Sequence, residues 1–310
     1  MNSSRKIPAS GHLKLSLKAR LTLWLLASVI LSVIFFRKFW LALPGMLSPE
    51  RVLGQNQASP WGVLTLCFLF LWLKRKQVRD RMQPGPAFIF IPVGLALTAG
   101  AILMPVSPDF QVFQVLLVYL GVFVIFFGRG AGIPAILLAI YGFTVSFPLL
   151  IQHFAGDAYA RTVMVPLTWL LHALGYPFVT EGPFLHLMTS KGELISVVIT
   201  VACAGPATMA VFLSIFALMT LDMPLPRRNA AWLFLFGVAG TWTQNLIRVT
   251  ILMLVGYHLG EKAMWTAHSW TIYFLFPLWY LFFAYIYFRQ FERQKRTAGP
   301  SVTAGGGGES

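Results

Sequence analysis

The chain alternates between long apolar runs and short clusters of basic or turn-forming residues. A helix needs about 20 mostly apolar residues to cross a hydrocarbon core of ~30 Å. The pattern predicts eight such spans, near residues 20–36, 58–73, 86–106, 111–127, 131–151, 197–221, 230–256 and 268–288. The second is the weakest, because Trp61 to Leu73 is short and follows the polar Gln55, Asn56 and Gln57. The first is followed by Arg37 and Lys38 rather than by a small-residue cleavage site, and reads as a signal anchor. Proline and glycine inside the spans (Pro92, Gly94, Gly100, Pro134, Gly142) are tolerated where neighbouring helices re-satisfy the backbone.

The segment between the fifth and sixth runs, His153 to Ser196, is the longest outside a span. Within Val163 to Leu174, residues Val165, Leu167, Leu170, Leu171 and Leu174 fall on one side, which predicts an amphipathic helix lying on the membrane surface. Turn residues follow (Gly175, Pro177, Glu181-Gly182-Pro183), then Phe184 to Met188 and Ser190-Lys191-Gly192-Glu193, which predict a short β-hairpin leading into span six. The predicted fold is therefore an all-α polytopic membrane protein with a small extracytoplasmic amphipathic helix and a β-hairpin between spans five and six. Its parts are a basic N-terminus over residues 1–19, a single transmembrane domain over 20–288, and a basic, Gly-rich flexible tail over 289–310.

Composition agrees with the pattern. Hydrophobic residues make up 57% of the chain and charged residues 11%, against roughly 45–50% and 25% in a soluble domain. The formal charge of +14 would suit a nucleic-acid binder, until it is placed on the topology. With the N-terminus inside, 17 of the 24 Lys and Arg fall in cytoplasmic segments, six outside, and Arg248 inside a span. This is the positive-inside distribution, and eight spans with both termini in the cytoplasm satisfy it. The charge thus orients helices in a bilayer, and no nucleic-acid partner is expected.

Few strongly polar side chains remain in the spans. Arg248 stands in Gln244-Asn245-Leu246-Ile247-Arg248, and the spacings of three and four put Asn245, Gln244 and Arg248 near one helix face. A central arginine costs roughly 2.5–3.5 kcal/mol on insertion scales, so it needs a partner or a wet cavity. Its other reading is a bridge between helices. Cysteines in apolar helices are ordinarily small packing residues, and Cys67, between Leu66 and Phe68, fits that. Cys203 differs: it lies near the outer end of predicted span six, and Gly205-Pro206 should bend or break the helix around it. His268 opens span eight, also on the outer side. His12, His153, His172, His186 and His258 lie outside spans or at their edges, and of these only His258 rivals His268. No metal-ligand spacing and no cofactor motif occurs.

Cys203, Arg248 and His268 thus come from three consecutive spans at one depth, near the outer leaflet. A thiol needs to ionise to be a nucleophile, and a neighbouring cation favours the thiolate. Arg248 can supply that cation or donate to an oxyanion. His268 can protonate a leaving amine and deprotonate an incoming nucleophile. The set suffices for acyl transfer through a thioester.

In Ala202-Cys203-Ala204-Gly205, Asn245-x-x-Arg248 and His268, in that order on the last three helices, the sequence resembles the exosortase/archaeosortase membrane transpeptidases. Leu171-His172-x-x-Gly175 and Glu181-Gly182 support the likeness, which covers about residues 160–288; earlier it is one of hydropathy only. The resemblance implies that Cys203 is the nucleophile and that Arg248 and His268 complete a triad, with Asn245, Gln244 and Gly205 in support. It implies substrates that are exported proteins with a C-terminal signal of three parts: a Pro-containing motif, a hydrophobic span and a basic cluster. The acceptor is left unknown, with a lipid or an exopolysaccharide precursor as candidates. Ala204 departs from the pattern, because members commonly carry Ser there.

The expected function is a bacterial-type cysteine transpeptidase of the cytoplasmic (inner) membrane with its site toward the extracytoplasmic face. A membrane protease that hydrolyses the thioester uses the same triad. A transporter or scaffold is the rival from another class, but a transporter needs polar groups near the midplane in paired halves, and the first five spans are nearly devoid of them.

Overall fold

The structure is a computed structural model that describes residues 16–46, 58–82, 88–105 and 110–297. The N-terminal basic stretch up to residue 15 and the Gly-rich end from residue 298 lie outside the described residues. The order of elements is α1 (Leu17–Phe35), α2 (Arg37–Met46), α3 (Ala58–Leu73), α4 (Arg75–Asp80), α5 (Phe90–Leu103), α6 (Gln111–Phe127), a single 3-10 turn (Gly128–Ala131) and α7 (Gly132–Ala173). Then come β1 (Phe178–Glu181), β2 (Phe184–Met188), β3 (Leu194–Val198), α8 (Pro206–Asp222), α9 (Arg227–Leu259) and α10 (Glu261–Thr297).

Among the described residues each predicted span overlaps a helix, span six only from Pro206 onward. Four segments, Leu17–Phe35, Gln111–Ala173, Arg227–Leu259 and Glu261–Arg296, are long and apolar enough to cross a bilayer. Pro60–Leu73, Phe90–Leu103 and Pro206–Asp222 are apolar but shorter. The protein is a mostly helical polytopic membrane protein with a small sheet.

The chain divides into two compact units, Met1–Ser48 with Phe68–Ala139, and Pro49–Cys67 with Ile140–Ser310. In the first, α1, α5 and α6 pack around Phe36, Phe39, Ala101, Val115, Val118 and Val122. Buried polar groups there have work to do. The Arg20 guanidinium donates to the Phe126 carbonyl at the end of α6 and lies 5.1 Å from the Phe127 ring centre. The Gln114 amide donates to the carbonyls of Met104 and Pro105 at 3.1 and 3.2 Å, which satisfies acceptors that the end of α5 leaves open.

The second unit holds α8, α9 and α10 together with the sheet. Gly237 leaves room on α9 for the ring of Phe212, which meets Phe283 of α10 edge-on at 5.0 Å. Polar clamps lock the three helices: the Tyr280 hydroxyl donates to the Thr208 carbonyl (2.9 Å), Tyr287 to the Met223 carbonyl (2.8 Å), and Trp279 Nε1 to Thr241 Oγ1 (3.0 Å). In a bilayer such bonds compensate for the missing hydrophobic drive between helices.

Two expectations are corrected here. The amphipathic segment is helical and belongs to the second part of α7, which from Gly132 to Ala173 is two helices meeting at a kink at Ala155 (φ −141°, ψ 21°). The buried stripe is Val163, Leu167 and Leu171, at steps of four, whereas Val165 and Leu174 are exposed. The hairpin is a three-stranded antiparallel sheet in the order β1-β2-β3, with Glu181 opposite Phe184 and Leu185 opposite Val197.

The second correction is span six. Residues 194–198 form a strand and the helix starts only at Pro206. Ile195, Val197 and Val198 are β-branched and favour the pleated surface. Burial alternates along them, with Ile195 and Ile199 buried and Leu194 and Val198 exposed. The stripe of α7 and the inner face of the sheet, Leu185, Leu187, Ile195 and Ile199, then close one core with Val249, Leu252 and Met253 of α9 and Met264 of α10.

Candidate active site

Cys203 does not sit in a helix, as its apolar surroundings suggest, but in the tight turn that joins β3 to α8. The turn closes by Cys203 N–H donating to the Thr200 carbonyl at 3.0 Å and Ala204 N–H to the Val201 carbonyl at 3.0 Å. Gly205 ends it in the left-handed region (φ 85°, ψ 33°), and Pro206 opens α8 at a position that has no use for an N–H. A side chain at Gly205 would be strained by its φ, and its Cβ would stand 2.8 Å from Cγ of Asn245. The glycine therefore lets α9 approach the turn. Asn245 uses that approach: its amide donates to the Cys203 carbonyl at 3.0 Å. The Cys203 sulfur lies 3.6 Å from Thr200 Oγ1 and 4.0 Å from the Val198 carbonyl oxygen, and its residue is half-buried.

Arg248 is 5% exposed and stands one turn along α9 from Asn245. Its Nη2 lies 3.2 Å from Nδ1 and 3.4 Å from Nε2 of His268. The guanidinium has only donors, so the ring nitrogen that accepts from it carries no proton. The Arg248 Nε and Asn245 Oδ1 are buried with no hydrogen-bond partner among the described residues.

His268 is not at the start of its helix: α10 begins at Glu261, and only Gly260 separates it from α9. This extra helix brings Trp265 under the ring of His268, edge-on at 5.6 Å. Trp265 Nε1 in turn donates to Glu261 at 3.2 Å. Arg248 stands 21 residues after Arg227, and Arg289 21 residues after His268; at 1.5 Å rise each interval is about 31 Å. Two antiparallel helices thus hold the pair at equal height above a basic end.

Cys203, Arg248 and His268 line one cleft that opens to the exterior. Val197, Val198 and Ile199 form one side, Val249, Leu252 and Met253 another, and Met264 and Trp265 the third. The walls are apolar, so a charge inside interacts more strongly than in water.

Not every expected residue lines the cleft. Gln244 is buried with neither amide atom bonded among the described residues, and it is absent from the lining. His258 lies instead beside Tyr176, 3.4 Å from its hydroxyl. Thr200, the Val198 carbonyl and Trp265 were not singled out by the sequence. Trp265 is three residues before His268, a helical neighbour, but that signal is legible only once the helix is known to begin at Glu261. No three His, Cys, Asp or Glu side chains gather among the described residues as a metal site would need.

The profile of one family, the transmembrane exosortases, matches residues 53–285. The chain belongs to the transmembrane exosortase family. The likeness starts well before residue 160, where sequence motifs alone place its beginning, so it takes in the helices ahead of the sheet as well as the cleft. No curated protein and no solved structure matches this exosortase.

Proposed function

We propose that this exosortase is a membrane-embedded cysteine transpeptidase with Cys203 as nucleophile and Arg248 and His268 as its partners. The observation that carries the reading is the convergence of these three side chains, from a turn and two helices, on one apolar cleft, with Arg248 hydrogen-bonded to His268.

The Cys203 proton passes to the unprotonated ring nitrogen of His268, which gives up its bond from Arg248, and the thiolate attacks the scissile carbonyl. The new C–S bond gives a tetrahedral oxyanion, which the Arg248 guanidinium in the cleft stabilises. Collapse breaks the C–N bond, and His268 returns its proton to the departing amine. A thioacyl enzyme remains. An incoming amine or hydroxyl then loses its proton to His268, attacks the thioester, and the thiolate leaves and is reprotonated.

The substrates are exported proteins carrying the three-part C-terminal signal, and the acceptor is a lipid or exopolysaccharide precursor. Membrane placement supports the class. Arg227, Arg228, Arg289, Arg293, Lys295 and Arg296 lie at one end of the last three helices. Basic residues favour the cytoplasmic side, and about 31 Å of helix, one hydrocarbon thickness, separates them from Arg248 and His268. This spacing supports a cleft at the outer interface of a cytoplasmic (inner) membrane, where a substrate still anchored by its own span presents its signal.

An exported reporter ending in a Pro-containing motif, an apolar span and a basic cluster, co-expressed with the enzyme, tests this. Processing by the native chain and none by Cys203→Ala is expected. Full processing by Cys203→Ala overturns the assignment. The intact mass of the new C-terminus then tells transfer from hydrolysis.

A further inference from the structure

We infer that the outer edge of β3 is the substrate-binding strand: an extended stretch flanking the scissile bond pairs with it, backbone to backbone, and is led by it onto Cys203. The inference rests on the transpeptidase reading for the identity of its occupant.

The edge can be read from the register. Ile199 N–H donates to the Pro183 carbonyl (3.0 Å), and Thr189 N–H to the Glu193 carbonyl (2.8 Å), so the residues of β3 that bond to β2 are the odd-numbered ones. The N–H groups of Leu194, Ser196 and Val198 therefore point away from the sheet, and none has a hydrogen-bond partner among the described residues. The strand is the last in the sheet order. Such an edge is a template for another chain.

Its position ties it to the chemistry. Val197, Val198 and Ile199 line the same cleft as Cys203, Arg248 and His268. Side chains of consecutive strand residues point to opposite faces, so three in a row can border one cleft only along the backbone edge. The outward Val198 carbonyl is 4.0 Å from the Cys203 sulfur. A backbone laid along Leu194 to Val198 is thus carried directly to the nucleophile. Strand pairing also needs no particular side chain, so it holds a peptide extended while leaving selectivity to the side-chain positions.

Two measurements test this with the three-part reporter. First, Ser196→Cys in a Cys203→Ala enzyme is oxidatively cross-linked to reporters bearing one cysteine, moved residue by residue through the stretch around the cleavage point. Pairing predicts strong cross-links at every second position. Equal yields at consecutive positions, or none, overturn the inference. Second, Ser196→Pro removes one outward N–H and the bond between Ser196 Oγ and His186 Nδ1 of β2 (2.7 Å); Ser196→Ala loses only the latter, and processing by Ser196→Pro should be at least tenfold below that by Ser196→Ala. Thr180→Pro, on the opposite edge of the sheet, should leave it within twofold. Equal effects of the two prolines, at equal protein levels and unfolding temperatures, overturn the inference while Cys203-dependent processing stands. If processing does not depend on Cys203 at all, the transpeptidase reading is what has failed, and this inference falls with it.

Discussion

The amide of Asn245 donates to the main-chain carbonyl of Cys203 at 3.0 Å, across 42 residues of sequence. One turn further along the same helix, Arg248 reaches His268. A single helix face thus sets the backbone of the cysteine turn and supplies the cation beside the histidine. Asn245→Ala should lose this anchor at a cost of about 1–3 kcal/mol, because the carbonyl is left without its donor. Asn245→Asp should be worse, because a carboxylate would face the carbonyl. Thermal unfolding and reporter processing, measured together, check the order native, Ala, Asp.

Gly205→Ala should fail for a different reason. The added methyl meets strain from φ 85° and stands 2.8 Å from Asn245. Strain alone costs roughly 1–2 kcal/mol, so the unfolding temperature and processing should both fall. A variant as stable and active as the native chain would show that the turn can relax.

Arg248→Lys keeps the charge but loses the planar fork that reaches His268 while leaving other N–H groups over the cleft. Processing should fall by about 10²–10³, the range for removing one oxyanion donor. Protein level and unfolding temperature should change little. Full activity would assign Arg248 a structural role.

The two cysteines should separate chemically. Cys203 borders an open cleft, whereas Cys67 is 6% exposed. A membrane-impermeant maleimide added to whole cells should label the native chain and Cys67→Ala alike, and should not label Cys203→Ala. Processing by Cys67→Ala should stay within twofold. Labelling that survives in Cys203→Ala would contradict the placement of the cleft.

Reporter fusions test orientation. With the basic ends of α8 to α10 in the cytoplasm, a fluorescent protein fused to either terminus should fluoresce, and alkaline phosphatase fused there should be inactive. An active phosphatase at the C-terminus would invert the last helices and move the cleft to the wrong side.

What the sequence determined by itself was the membrane character and the run of helices, and it singled out Cys203, Arg248 and His268, which the fold brings to one cleft. These depend on composition, order and spacing along one chain, which hydropathy and charge express locally. It could not place Cys203 in a turn, because an apolar, β-branched run such as Leu194 to Val201 reads alike as strand or helix. The tertiary structure decided that, since only the pairing of β3 with β2 and the inner face it shares with α7 favour the strand. It also decided that Asn245 meets Cys203 and that Gln244 stays away from the cleft. Each of these depends on where a second element comes to rest, and a helix face carries no record of its neighbour.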